Sequence, residues 1–347
     1  MAKTAARGRG RGNSRSWGER QAIGALARLL EGGAPGGRPP SGGTRTKLGI
    51  GDDAAVLEPG RGLLVWTVDA CVEGVHFRRE WLTLEDVGWR ALQAAVSDVA
   101  AMAARPMAAL SSLVLPPRFG RRDLEALGRG QAVAARALGC PVVGGNIARG
   151  DQLSITTTVL GEAEHPRRRD GARPGDELWL VGDVGAAAAG LHLLRRATED
   201  GSEPGGRHSA DRFCIEAWRR PRALVAQGLE LAATASAVID VSDGLGGDAR
   251  HLAEASRARI LIDADRLGQA LRPELLHACA GLGVDPLELA LRGGEDYALL
   301  ATGSRRQRPS FAAPIGRVTR GHGVALRPAG GGPAVPVGEG YDHLARE

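Results

Sequence analysis

Lysine is nearly missing from this chain of 347 residues, in which only Lys3 and Lys47 occur. Neither stands in a G-x-x-x-x-G-K-[ST] run, so a P-loop is excluded, and the strand lysine and catalytic loop of a protein kinase are absent as well. A G-x-S-x-G elbow is also lacking, because Asp240 stands two residues before Ser242, which disfavours a serine hydrolase. The four cysteines, Cys71, Cys140, Cys214 and Cys279, form no C-x-x-C pair. Their spacing excludes a zinc ribbon and a disulfide framework and suits a reducing cytoplasm. No apolar run reaches the length of a membrane span, and the first residues lack the apolar stretch of a secretory signal, so a cytoplasmic location is expected. Aromatic residues number only twelve and methionines three, which leaves Ala, Val, Leu and Ile to build the core.

What is present is enough for two domains, with 43% apolar residues and 51 glycines that imply many close backbone approaches. The net charge of +5 is a property of the first 20 residues, where Lys3, Arg7, Arg9, Arg11, Arg15 and Arg20 face only Glu19, so the rest of the chain sums to zero. Residues 1–16 therefore read as a disordered Arg/Gly-rich tail, a solvated extension, and nucleic acid is not expected as a partner. The Arg-rich stretch Arg167–Gly175 marks a linker, dividing an N-terminal domain over 17–165 from a C-terminal domain over 166–347.

Along the chain, apolar residues at Ile23, Leu26, Leu29 and Leu30 predict a first helix over 17–30. Gly49-Ile50-Gly51-Asp52-Asp53 then puts two carboxylates on a glycine turn. The run 63–69 reads as a strand with Asp69 at its C-terminal end, followed by His76. A helix over 84–104 holds a single charge, Asp98, in the fourteen residues from Ala91 to Ala104. A lone carboxylate in so apolar a helix must be paired or must line a cavity, because an unpaired buried charge is very costly. A short strand over 113–116, a helix over 121–138 and a strand at 142–143 running into Gly144-Gly145-Asn146 come next; glycines after a strand let backbone amides approach a phosphate. The second half opens with a strand over 177–181; a later strand from Val238 carries Asp240 and ends in the turn Ser242-Asp243-Gly244, and Gly293-Gly294-Glu295-Asp296-Tyr297 precedes another strand. If half of Asp52, Asp53, Asp69, Asp98, Asp240, Asp243, Glu295 and Asp296 converge, their repulsion demands cations, and oxygen-only ligation favours magnesium, manganese or calcium over zinc.

Seven ordered blocks resemble the thiamine-monophosphate kinase family: Gly49 to Asp53, Asp69 with Gly74 to Phe77, Val96 to Met102, Gly144-Gly145, Ile239 to Leu245, Gly293 to Tyr297, and Gly340 to His343. The resemblance spans about residues 17–345 and brings in the wider superfamily of aminoimidazole-ribonucleotide synthetase, selenophosphate synthetase and hydrogenase maturation factor. It implies an α+β, two-domain fold in which the N-terminal mixed sheet pairs into a dimeric barrel and the C-terminal part is an α/β domain. It further implies a homodimer that transfers the γ-phosphoryl group of ATP to thiamine monophosphate by direct in-line attack. By the same resemblance Asp53, Thr67, Asp69, Asp98, Asn146, Asp240 and Asp243 would hold several Mg2+ ions. Gly145, Asn146, Arg169 and Ser242 would touch ATP, and His76, Glu295 and Tyr341 would hold the substrate.

The chain departs from the family pattern at three places. Asn146 stands where an Asp is common, which keeps an oxygen ligand and loses a charge; Ala95 replaces an Asn; and Gly338 replaces an aromatic that a thiazolium cation would favour. Aminoimidazole-ribonucleotide synthetase is the alternative within the superfamily, and a non-catalytic nucleotide-binding protein is the alternative outside catalysis.

Overall fold

The computed structural model describes residues 19–30, 46–50, 54–58, 60–202, 205–206 and 208–337. The tail over 1–16, Asp52, Asp53, Gly338 and Tyr341 lie outside the described residues. The chain opens with helix α1 (Glu19–Leu30), which buries Ala22, Ala25, Leu26 and Ala27, while Ile23 faces outward. A small antiparallel pair follows, β1 (Thr46–Leu48) and β2 (Val56–Leu57). Then come β3 (Leu63–Val72), α2 (Leu84–Ala101), β4 (Arg105–Leu115), α3 (Arg121–Leu138), β5 (Val142–Arg149) and β6 (Ser154–Ala163). The strands form a mixed sheet in the order β3-β6-β4-β5, in which only β4 and β5 run parallel, joined by α3 as a crossover.

Four strand and helix limits differ from the sequence expectation. Asp69 lies inside β3, not at its end. β4 begins at Arg105, well before 113, and β5 runs on through Gly144-Gly145 to Arg149 instead of stopping at Val143. α2 stops at Ala101 because Ala103 takes a left-handed turn (φ 52°) that redirects the chain into β4.

Burial along β6 alternates strictly, so this sheet has one covered and one open face. α2 and α3 cover the first, packing Leu92, Val96 and Val99 against Val65 and Val159. The other face leaves Leu64, Trp66, Val68 and Leu110 exposed. The two covering helices approach closely: a Cβ on Gly130 would lie 1.9 Å from Glu85 O, and one on Gly88 2.1 Å from Leu127 O. Thr83 starts α2 with a capping box, accepting from Asp86 N at 3.2 Å while Asp86 Oδ2 accepts from Thr83 N at 3.1 Å.

The second half runs β7 (Glu177–Val181), α4 (Ala186–Glu199), α5 (Ser209–Arg219), α6 (Val225–Leu231), β8 (Ala235–Val241), α7 (Leu245–Ala255), β9 (Arg259–Asp263), α8 (Ala264–Ala270), α9 (Pro273–Leu282), α10 (Pro286–Arg292), β10 (Ala298–Gly303), β11 (Ala313–Thr319), β12 (Gly323–Arg327) and β13 (Val335–Pro336). Its sheet has the order β13-β12-β9-β11-β7-β10-β8, antiparallel except between β12 and β9. β7 is buried at every position, as a central strand covered on both sides must be.

The two sheets share no strand, and α2 lies between them. A strap over 218–228 is laid along this helix. Trp89 Nε1 donates to Pro221 O at 2.8 Å, Ala223 N donates to Gln93 Oε1 at 2.8 Å, and Arg220 pairs with Asp86 at 2.6 Å. Gly228 of α6 sits so close that a Cβ there would meet Ala100 O at 2.2 Å. Among the described residues no helix is long and apolar enough to cross a membrane.

Candidate active site

A cleft opens where α2, β3 and the end of β8 meet. On β3, Thr67 and Asp69 alternate with outward-facing residues and so share the helix-facing side with buried Val65 and Cys71. Thr67 Oγ1 donates to Asp98 Oδ2 at 2.5 Å. The lone charge of α2 thus both lines the cleft and has a partner, as its apolar surroundings require. Asp69 Oδ1 accepts from Ala70 N at 2.7 Å. From the second sheet, buried Asp240 accepts from Ser97 Oγ of α2 at 2.8 Å.

After Asp240 the chain turns sharply. Gly244 has φ 103°, and a Cβ there would meet the backbone of Arg292 at 2.8 Å. Asp248, in the first turn of α7, holds this turn by accepting from Ser242 N and Asp243 N, both at 3.1 Å. Asp248 carries no mark in the sequence beyond its place five residues after Asp243, in the first turn of a helix. One ligand atom each from Asp243, Asp248 and His251 lie within 4.8 Å of one another.

The third wall is the turn 293–297. Glu295 N donates to Ser242 O at 2.7 Å and Tyr297 N to Val241 O at 2.9 Å, which fastens the turn to the end of β8. Both residues have left-handed backbones, φ 71° and 51°, an uncommon conformation for side chains of this size. Between them Asp296 points away from the cleft and accepts from Gly185 N at 2.7 Å and Ala187 N at 3.0 Å at the start of α4. Asp296 is therefore a helix cap and not a member of the acidic constellation. Glu295 faces the cleft, where its Oε2 accepts from Tyr297 OH at 2.7 Å and from Arg90 Nη2. Arg90, buried on α2, was not anticipated from sequence, where it reads as an ordinary helix-surface cation.

Burial and mutual repulsion set the electrostatics. Asp69 is pushed up to about 6, first by desolvation and then by Asp98 and Glu295. Asp240 rises to about 7 through burial and Asp98, and Asp248 to about 8 through burial, Asp240 and Asp243. Carboxylates crowded in this way stay ionised only with cations among them. The donors Thr67, Asp69, Asp98, Asp240 and Asp243 are all oxygens, with no thiolate that can ligate, since burial pushes Cys71 up to about 12. This donor set fits a hard divalent cation.

Of the residues singled out in the sequence, Asp69, His76, Asp98, Asp240, Ser242, Asp243 and Glu295 line one cleft, with Thr67 directly behind Asp98. His76 Nδ1 also accepts from Val72 N at 3.1 Å. Gly145 and Asn146 are not brought there. Gly145 shares a register row with Asp69, through Thr157 and Ser111, but three strand spacings away, about 14 Å. Asn146 lies in the row of Ala70, on the opposite face. Gly145 has a packing reason to be glycine, because a Cβ would meet Ser111 O at 1.8 Å. Arg169 is exposed; its carbonyl accepts from Ser256 Oγ at 2.7 Å, and its charge is near enough to Asp240 to oppose the rise there. Asp53 and Tyr341 lie outside the described residues.

Residues 51–163 match the family described as AIR synthase related protein, N-terminal domain. The chain is 39% identical over 277 residues to the thiamine-monophosphate kinase of Aquifex aeolicus, covering 79% of this chain and 88% of that one. It is 38% identical over 257 residues to the thiamine-monophosphate kinase of Mycobacterium tuberculosis (strain CDC 1551 / Oshkosh), covering 73% and 74%. Among solved structures, AaThiL complexed with AMPPCP and TMP matches with a TM-score of 0.75 at 34% identity, over 95% of this chain and 98% of that chain. A hydrogenase maturation protein HypE, at 21% identity and a TM-score of 0.66 over 85% and 94%, shares the fold alone. With relatives this similar over most of their length, the chain belongs to the thiamine-monophosphate kinase family.

Proposed function

We infer that this protein is a kinase that uses ATP to convert thiamine monophosphate to thiamine diphosphate. The observation that carries the reading is the convergence of Asp69, Asp98, Asp240, Asp243 and Glu295, from separate segments, on one cleft in a chain of this family. Asp69, Asp98, Asp240 and Asp243, assisted by Thr67, are the residues that would hold Mg2+. Held there, magnesium supplies neutralisation and fixed positions for two phosphate-bearing reactants, which is most of what phosphoryl transfer needs.

The chain's own contribution is rigidity. Thr67 fixes Asp98, Ser97 fixes Asp240, and Asp248 fixes the turn that carries Ser242 and Asp243, so the carboxylates need not reorganise during the reaction. Cys71 stays protonated at neutral pH and supplies no nucleophile. The transfer is direct, without a phospho-enzyme.

Two further features belong to this reading. A homodimer formed through the open face of the four-stranded sheet is supported by the contiguous exposed Leu64, Trp66, Val68 and Leu110. A division into domains over 17–165 and 166–347 is supported by two sheets with no common strand. Incubating the purified protein with ATP, Mg2+ and thiamine monophosphate and measuring thiamine diphosphate tests the function. Product without acid-stable or acyl phosphate on the protein is the expected result. ATP binding without product would favour a non-catalytic nucleotide-binding protein.

A further inference from the structure

Three residues spaced by four along α2, Arg90, Ala94 and Asp98, face the cleft together. Ala94 leaves room between the two charges. Arg90 is almost wholly buried, with its side chain 2% exposed, and a buried guanidinium is tolerated only with good partners. Its partners come from two places on the second half of the chain, Trp218 and Glu295. Nη1 donates to Trp218 O, the Trp218 ring lies 4.9 Å beneath the guanidinium, and Nη2 donates to Glu295 Oε2. Tyr297, also buried, donates its hydroxyl to that same Oε2 at 2.7 Å.

Both bonds end on one oxygen. Among the described residues no donor reaches Glu295 Oε1, although an ionised carboxylate can accept on both oxygens. Packing alone explains this arrangement poorly. An ion pair with a buried member is often no more stable than apolar residues of the same volume, and the turn keeps two bulky residues in left-handed conformations, which cost stability. The turn is nevertheless held by Ser242 O, Val241 O, the start of α4 and Arg90. Such support fixes the place of one acceptor oxygen on the cleft wall.

We propose that Arg90 and Tyr297 are positioning residues for substrate recognition, which hold Oε2 of Glu295 so that Oε1 receives the amino-bearing, cationic heterocycle of the substrate. The assignment rests on the functional reading above. It gives the cleft two ends: the aspartates serve the phosphates through cations, and Glu295 serves the positively charged ring system. Lysine cannot replace Arg90 fully, because the carbonyl of Trp218 and the carboxylate of Glu295 are met by two different guanidinium nitrogens.

Calorimetric titration of the full chain, in Mg2+, with thiamine monophosphate and separately with a non-hydrolysable ATP analogue tests the assignment. Tyr297→Phe should weaken thiamine monophosphate about fivefold to tenfold and Arg90→Lys about tenfold, roughly 1.4 kcal/mol, with the nucleotide affinity changed less than about twofold. Arg90→Lys combined with Glu295→Gln should bind no more weakly than Glu295→Gln alone, because both act through one carboxylate. Equal weakening of both ligands, unchanged binding of thiamine monophosphate to Tyr297→Phe, or full additivity in the double variant would overturn it. If Arg90→Lys does not fold, Tyr297→Phe decides. A parent protein that binds no thiamine monophosphate would overturn the functional reading and this assignment with it; a parent that binds while Tyr297→Phe is indistinguishable overturns the assignment alone.

Discussion

Replacing Asp296 by Asn separates the cost of a half-buried, desolvated charge from the value of a helix cap. The Asp296 carboxyl is pushed up to about 7 from the usual 3.8, first by desolvation, with the Gly185 and Ala187 amides opposing the rise. A carboxyl whose native value is raised stabilises the fold fully at pH below its unfolded value, where the contribution is equal to the neutral cap. Between 3.8 and about 7 the native state holds a proton that the unfolded chain has released, so stability falls as pH rises. The decline amounts to about 2.5 kcal/mol between pH 5 and pH 8.

Asn keeps the shape and one acceptor oxygen but cannot ionise, so the Asn protein lacks this slope. Urea unfolding of both proteins at several pH values between 5 and 8 measures it, because every other titrating group is common to the pair and cancels in the difference. The parent should lose about 2.5 kcal/mol relative to Asp296→Asn across that range. Asp296→Ala removes both acceptors from the buried amides of Gly185 and Ala187 and should cost a further ~2–4 kcal/mol at any pH. A stability difference between parent and Asn protein that does not change with pH would refute the argument, as would a difference of the opposite slope.

Gly130→Ala must push α3 away from α2, since its Cβ would lie 1.9 Å from Glu85 O; thermal unfolding should show a loss of about 1–3 kcal/mol or more. Gly281→Ala, in α9 with nothing within 4 Å of the new methyl, should instead be neutral or stabilising by up to about 1 kcal/mol, and equal effects at the two sites would refute the steric reasoning. Asp240→Asn removes a buried charge that Asp98 repels, so the protein should be at least as stable as its parent while kcat falls by about a hundredfold or more; a variant both less stable and fully active would contradict the role given to Asp240. Trp66→Arg places a charge on the open sheet face, and light scattering should show the proposed dimer replaced by monomers; an unchanged mass would remove that face as the interface.

The sequence made some of the site readable because chemistry stood out against a plain background. Asp98 was legible because thirteen uncharged neighbours surround it from Ala91 to Ala104, and it does line the cleft and pair with Thr67. Asp69, Asp240, Ser242, Asp243 and Glu295 were legible through glycine turns and ordered blocks. Arg90 was not, because the helix Leu84–Ala101 has other charged residues in its first turns, and nothing in Trp89-Arg90-Ala91 says that a strap 128 residues later will bury it. Asp296 was misread for a similar reason: two adjacent carboxylates look alike in sequence, and only the path of the turn sends one into the cleft and the other to the start of α4. Gly144-Gly145 matched a phosphate-approach pattern, whereas the approach found in the fold is that of strand β4. Local pattern carried the element types well, but a partner reached across many residues leaves no local trace.

The polar residues of α2 follow one rule that joins fold and function. Leu92, Val96 and Val99 face the four-stranded sheet and form an apolar seam. On the other side Asp86, Arg90, Gln93 and Ser97 are all buried, and each finds its partner in the second half of the chain: Arg220, then Trp218 and Glu295, then Ala223, then Asp240. Apolar contact between the halves would tolerate sliding, since burial is proportional to area and has no direction. A row of buried hydrogen bonds does not, because a shift of one residue leaves several groups without partners at a cost of about 1–3 kcal/mol each. The register of α2 against β8 and the 293–297 turn is therefore set by the same helix face that delivers Asp98 and Arg90 to the cleft. Docking of the two halves and assembly of the carboxylate site are one event, which is why a site built from segments more than 200 residues apart can be held to hydrogen-bond precision.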